Sequence, residues 1–339
     1  MSLKRWLKHR ANGLLHQFGQ ELVAKNAVYD WQRDLPVGPR WQDCKLTVED
    51  VSYLKPDNPR LRDLQRRYAE CDPDVIKPST WSDGHVRTED ITYFRGDNAW
   101  VWQVRGKGRN TLECAVTYYY LKSLDRLGLF DKLTEDESFG NFPFLIDGRL
   151  VSRDLLDSVA EIDFLNRHLG IGSRKNFRVL DIGAGYGRLA HRMVSALDGV
   201  ERYYCTDAVA VSTFVSEYYL RFRRAEKAVV VPLDEIGATL RENPVDLAIN
   251  VHSFPECRLQ AIEWWIRLIS SHGVKNLMIV PNRLHGGGER LVTNDGEDFL
   301  PILERYGYRT IVKEPKYLDP VVQMFGVQPT WHHLLELRG

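Results

Sequence analysis

An apolar stretch closes on an acid and turns into alternating glycines in Val179-Leu180-Asp181-Ile182-Gly183-Ala184-Gly185-Tyr186-Gly187-Arg188-Leu189-Ala190. Glycine permits unusual φ values and has no Cβ, so a backbone built from Gly183, Gly185 and Gly187 can approach a ligand closely. The pattern after the turn is helical. The first turn of that helix offers free N–H groups to a ligand carboxylate or phosphate. Asp181 can accept from an ammonium, directly or through water. Asp207 closes the next apolar run, about twenty residues further on, where an acid can accept both hydroxyls of a ribose. The competing reading is a solvated loop acid. Asp234 follows a third run. It can accept from an adenine amino group or simply start a helix.

A second group is Asn250-Val251-His252-Ser253-Phe254-Pro255-Glu256, which closes a fourth apolar run. A histidine there can take a proton at neutral pH, so His252 is the candidate general base. Ser253 and Glu256 spell S-x-x-E, a capping box with Pro255 tolerated in the first turn. Glu256 is also the alternative proton acceptor or metal ligand. Asn250 is a candidate contact to cofactor or substrate. Further upstream, Tyr93-Phe94-Arg95-Gly96-Asp97-Asn98-Ala99-Trp100-Val101-Trp102 sets Trp100 and Trp102 on one face if the segment is a strand. With Arg95 and Asp97 beside them they suit a polyhydroxylated ligand. Packing of the tryptophans and an Arg95–Asp97 pair compete with that. His285 opens a glycine-rich loop that can cover a pocket. His332 and His333 fall on an expected strand, so they face opposite ways and do not chelate together.

The acid-then-glycines motif resembles the first motif of the class I S-adenosylmethionine (SAM) methyltransferases. Gly185-x-Gly187-x-x-Ala190 also satisfies a dinucleotide pattern. Two details favour SAM. The acid precedes the glycines, where pyrophosphate has no use for negative charge, and the dinucleotide register starts late after Asp181. The resemblance implies that Asp181, Gly183, Gly185, Gly187, Asp207, Asp234 and Asn250 hold cofactor, with His252 beside the transferable methyl. The chain also resembles the bacterial sugar O-methyltransferases over about residues 85–337. The matching segments are the glycine turn, Asn250-x-His252-Ser253-Phe254-x-Glu256 and Ser152-Arg153-Asp154-Leu155-Leu156-Asp157-Ser158. This implies a sugar hydroxyl of a glycan or natural product as acceptor. Some macrolide-sugar methyltransferases hold magnesium with carboxylates near the fourth-strand end. Only Glu256 stands there, which leaves a divalent metal doubtful. Other readings are methylation of another hydroxyl, carboxylate or amine, a non-catalytic partner subunit of the same fold, and a dinucleotide oxidoreductase.

These residues need a scaffold. Strands are expected at 177–180, 202–206, 228–231, 245–251, 274–280, 308–312 and 330–337, with helices at 188–197, 210–222, 259–269 and 298–306 between them. That alternation predicts an α/β, doubly wound, mainly parallel seven-stranded sheet whose last two strands form an antiparallel hairpin. Ser152 reads as the N-cap of a helix through His168, with Gly170 as its stop. Residues 112–127 carry apolar side chains at helical spacing. The expected division is a mostly helical, aromatic covering region over 1–150 and a cofactor domain over 151–339.

Lys plus Arg and Asp plus Glu are 46 each in 339 residues. A neutral chain lacks the broad basic field that phosphate-backbone binding needs, so nucleic acid is not expected as substrate. The five cysteines are scattered and contain no C-x-x-C. This reads as reduced thiols in a cytoplasmic protein without a zinc site. No run is long and apolar enough to span a membrane, and charges interrupt residues 1–20 too often for a signal peptide. Trp6, Leu7, Leu14, Leu15, Phe18 and Leu22 lie near helical spacing. They are expected to pack on the body or on a second copy in a homo-oligomer, rather than on a membrane surface.

Overall fold

The computed structural model describes residues 3–15, 22, 46–76, 80–81, 86–96, 98–100, 111–283 and 287–338. Strands β1 (Phe144–Ile146) and β2 (Arg149–Val151) form a small hairpin. The remaining strands are β3 (Phe177–Ile182), β4 (Val200–Thr206), β5 (Ala228–Val230), β6 (Leu247–Val251), β7 (Asn276–Val280), β8 (Tyr308–Pro315) and β9 (Trp331–Leu337). They build one seven-stranded sheet in the order β5-β4-β3-β6-β7-β9-β8. β3 to β7 pair in parallel, and β9 runs antiparallel between β7 and β8. This is the doubly wound, mainly parallel seven-stranded α/β sheet expected from the sequence.

The order follows from the residues. Every side chain of β7 is buried, as parallel strands covered by helices on both faces require. The antiparallel pair of β9 and β8 ends the sheet, with β8 at the edge and mostly exposed after the buried Tyr308. The strand order reverses between β3 and β6, which run parallel, and ligands of open α/β sheets bind outside such a switch point. The glycine turn leaves the end of β3, and His252 leaves the end of β6.

The helix Arg153–Leu169 starts where expected, with Ser152 Oγ accepting from the Leu155 N–H at 3.1 Å. It stops at Gly170, whose φ of 63° is left-handed. The N-terminal region is mostly helical. Its helix Pro59–Tyr68 lies along the helix Ala210–Phe222, fixed by Arg60 to Glu217 at 2.6 Å and by Tyr68 to Thr213 at 2.8 Å. Residues 98–100 form bends, so Trp100 is not on the expected strand. Asp97, Trp102 and His285 lie outside the described residues. In the helix Leu3–Leu15, Leu7 and Leu14 are 52% and 67% exposed, so the chain's own body leaves them uncovered. No helix among the described residues is long and apolar enough to cross a membrane. Cys71, Cys205 and Cys257 are free thiols.

Candidate cofactor and active site

The three glycines of the turn have left-handed φ values of 72°, 57° and 86° at Gly183, Gly185 and Gly187. They do different work. A Cβ on Gly183 would collide with Ser253, so that glycine lets the ends of β3 and β6 come together. A Cβ on Gly187 would sit 3.0 Å from Ser216 Oγ and 3.1 Å from Leu220, so Gly187 serves helix packing and not ligand contact as expected. At Gly185 the nearest atom is Trp100 Cδ1 at 3.5 Å. Of the three, Gly185 has the most open space beside its backbone, and it lines the pocket together with Gly183.

Two acids frame this opening. Asp181 is buried and accepts from the Tyr203 hydroxyl at 2.9 Å. Burial outweighs that bond and pushes its pKa up to about 7. Asp207 accepts from Val209 N–H at 2.8 Å and from Gly185 N–H at 3.1 Å. Burial lifts it to about 7 as well, against both amides. Each acid is thus held in place while carrying a desolvation penalty that a cationic or hydroxylic ligand would relieve.

Three expected contacts are corrected. Arg67 holds Asp234 with two hydrogen bonds of 2.8 and 2.7 Å, so its carboxylate serves the helix Pro59–Tyr68 instead of an adenine. Asn250 is fully buried, donating to Ile182 O at 2.8 Å and accepting from Phe254 N–H at 2.9 Å. It ties β6 to β3 and does not face a cofactor. Arg95 is fully buried, paired to Glu135 at 2.5 Å and Asp136 at 2.8 Å, so it is a structural cation and not an acceptor contact.

The expected capping box is not formed. Phe254–Glu256 is a single 3-10 turn, and the following helix begins only at Leu259, with Arg258 as N-cap. The Glu256 N–H that the Ser253 side chain would have to cap donates to Ser253 O at 3.0 Å instead, and Pro255 has no N–H to offer. The Glu256 carboxylate instead accepts from Trp81 Nε1 at 2.6 Å. Burial raises its pKa, opposed by the bonds from Trp81 and Asn282.

Beside the glycine turn a pocket of about 100 Å³ opens to solvent. Asp181, Gly183 and Gly185 form one wall, and Val251 and His252 another. Arg153, Asp154 and Asp157 reach it from the helix Arg153–Leu169. Sequence reasoning missed these as lining residues, although Ser152 as N-cap already aimed that helix at the sheet. Trp100 closes the rim, its indole N–H donating to Ser212 Oγ at 2.9 Å and its ring 6.0 Å from Trp81.

His252 has a φ of 63°, uncommon for a residue with a Cβ, and its N–H donates to Val280 O at 2.7 Å. Burial, then the Arg153 cation, push its pKa down to about 3, with Asp157 opposing. The imidazole is therefore neutral across the physiological range, free to accept a proton but a weaker base than an ordinary histidine. Among the described residues no three His, Cys, Asp or Glu side chains are grouped to hold a metal ion.

No sequence family and no curated protein matches the chain. Among solved structures, the mitomycin 7-O-methyltransferase MmcR is similar over 54% of this chain and 57% of its own, at 17% identity and a TM-score of 0.36. The chain thus spans just over half the length of that enzyme. An S-adenosylmethionine-dependent methyltransferase from Clostridium acetobutylicum ATCC 824 is similar over 54% of this chain and 91% of its own, at 14% identity and a TM-score of 0.39. The [4+2]-cyclase SpnF is similar over 66% of this chain and 94% of its own, also at 14% identity and 0.39. The chemistry is accordingly read from the site's own geometry.

Proposed function

We propose that the chain is a SAM-dependent O-methyltransferase acting on a sugar hydroxyl of a glycan or natural product. The observation that supports it most is the arrangement of Asp181, Gly185 and Asp207. An acid ends β3, an open glycine follows, and a second acid ends β4 with its carboxylate on the Gly185 amide. The residues present fit the cofactor. Asp181 would meet the methionine ammonium, Gly185 would let the chain approach, and Asp207 would accept from the ribose hydroxyls. In a dinucleotide site Asp207 would still face a ribose, but Asp181 would set a buried carboxylate beside the pyrophosphate, which disfavours a dinucleotide.

When bound, SAM supplies a methyl group on an electrophilic sulfonium. His252 lines the same pocket as Asp181, and in this reading it receives the acceptor's proton. Methylation of a neutral hydroxyl leaves a strongly acidic oxonium, so even a weak base serves once the new bond is forming. Trp100 offers a ring to stack on a sugar, and Arg153 and Asp157 offer a donor and an acceptor to its hydroxyls. Methyl transfer to another hydroxyl, a carboxylate or an amine uses the same groups and is the second reading.

The first test is selective stabilisation. SAM or S-adenosylhomocysteine should raise the melting temperature, by mass action worth roughly 2.7 kcal/mol at a hundredfold excess over Kd. NAD(P) should have no effect. Stabilisation by NAD(P) alone would end the methyltransferase reading. The acceptor is then separated by following labelled methyl from SAM into free sugars, nucleotide sugars, glycosides, carboxylic acids and amines. Labelling confined to the last two would overturn the sugar hydroxyl.

A further inference from the structure

Three imidazole nitrogens are sealed from solvent without a hydrogen-bond partner among the described residues: His252 Nδ1 and both ring nitrogens of His332. Burying unpaired polar atoms is costly, and native folds leave few. Finding three on two neighbouring histidines calls for a cause.

The two residues flank one strand position. His252 donates its N–H to Val280 O. In the antiparallel pairing of β7 with β9, Ile279 stands across from His333, so His332 falls across from Val280. Both rings lie toward the helix Arg153–Leu169. His332 packs edge-on against Phe164 with centroids 4.9 Å apart, while Arg153 and Asp157 of the same helix face His252. His332 is buried and His252 lines the pocket. With Nδ1 sealed, Nε2 is the His252 nitrogen that can meet a pocket ligand.

The surroundings keep both rings neutral. His252 faces Arg153, Asp157, Lys316 and Arg188. His332 faces Lys316, Arg167, His252 and His333. Lys316 is itself buried, donating to Asp157 at 2.5 Å. A neutral imidazole is a donor at one nitrogen and an acceptor at the other, and the partner of one decides the role of the other.

We propose that one buried water joins His252 Nδ1 to His332, and that this link holds His252 as the Nδ1–H tautomer with its Nε2 lone pair turned to the pocket. Nδ1–H donates to the water, and the water donates to a His332 nitrogen. His332 is then a positioning residue. A proton taken from the acceptor would arrive at Nε2, leaving Nδ1–H in place as the donor to the water. The use made of the tautomer rests on the methyl-transfer reading. The tautomer itself belongs to the protein without cofactor.

The test reads the tautomer directly, by nitrogen NMR of the ¹⁵N-histidine-labelled full chain near pH 7, with His252→Gln identifying the His252 signals. His252 should show a single protonated Nδ1. His332→Phe should turn this into a mixture of tautomers, and turnover should fall while SAM affinity by calorimetry stays unchanged. His332→Gln, which can still accept from a water, should keep the wild-type tautomer. A wild-type His252 that is Nε2–H or mixed overturns the proposal, as does an unchanged tautomer in His332→Phe. If His332→Phe does not fold, the wild-type spectrum and His332→Gln still decide. Failure of SAM to bind, with the tautomer as stated, would count against the methyltransferase reading alone.

Discussion

The Gly185 amide and the Asp207 carboxylate, at the ends of neighbouring strands, are joined by a hydrogen bond of 3.1 Å. One acid therefore both shapes the glycine turn and stands where a ribose would lie. Asp207→Ala should cost roughly 1.5–3 kcal/mol of SAM binding, as for a lost charge-assisted hydrogen bond. The fold should persist without ligand, with a modest drop in melting temperature as the Gly185 and Val209 amides lose their acceptor. Calorimetry and a melting curve check the two halves. Unchanged affinity removes Asp207 from the site.

Gly185 and Gly187 separate ligand approach from packing. Gly187→Ala places a Cβ against Ser216 and Leu220 at a φ of 86° and should destabilise the protein by about 1–2 kcal/mol or more. Gly185→Ala meets the same kind of backbone strain but only Trp100 at 3.5 Å. It should unfold the protein less and weaken SAM binding more. Denaturant titration with calorimetry on both variants tests this, and equal effects on both quantities would remove the distinction.

The raised acids predict a pH dependence. With pKa values near 7 against an unfolded value of 3.8, Asp181 and Asp207 hold protons in the folded protein that the unfolded chain has lost. Their contribution to stability is full below pH 3.8 and is lost as pH rises through about 7. A cationic ammonium at Asp181 favours the charged form. SAM binding should then release protons at pH 6, and affinity should rise with pH up to about 7, on the order of tenfold per unit for each carboxylate that must ionise. Calorimetry in buffers of different ionisation heat measures the protons. Binding at pH 6 without proton release would contradict these roles.

His252 and Glu256 are best judged as a pair. His252→Ala should lower turnover by about 10²–10⁴-fold with SAM affinity nearly unchanged, and His252→Gln should not restore it. Glu256→Gln should be mild, since an amide oxygen can still accept from Trp81. The reverse pattern, with His252→Ala silent and Glu256→Gln inactive, would make Glu256 the base or a metal ligand, and added chelator would then distinguish those two.

The seven strands were legible because each is a short apolar run punctuated by an acid, a glycine or a proline. The helix after Ser152 was legible because its cap and stop are local. Asp234, Asn250 and Arg95 were misplaced for one physical reason: their partners are remote in sequence. Arg67 reaches Asp234 across 167 residues, and Glu135 reaches Arg95 across 40. The capping box failed likewise. S-x-x-E is a local signal, and it cannot show that Trp81 claims Glu256. The β1–β2 hairpin, with three residues in each strand, is too short to leave a period.

Glu135 lies fully buried between Arg95 at 2.5 Å and Arg192 at 2.8 Å, and Asp136 beside it bridges Arg95 to Arg223. Burial works against the Glu135 carboxylate, yet the two guanidiniums hold its pKa down to about 2. Arg95, Glu135 and Asp136 precede residue 150, while Arg192 and Arg223 follow it. The N-terminal region and the sheet are therefore not interchangeable modules. A fragment beginning near residue 150 would strand Arg192 without its counter-charge, and a chimaera with a foreign N-terminal region would inherit the same defect. On the proposed function, new acceptor specificities are better sought by altering the pocket residues Trp100, Arg153 and Asp157 within the intact chain than by exchanging its N-terminal half.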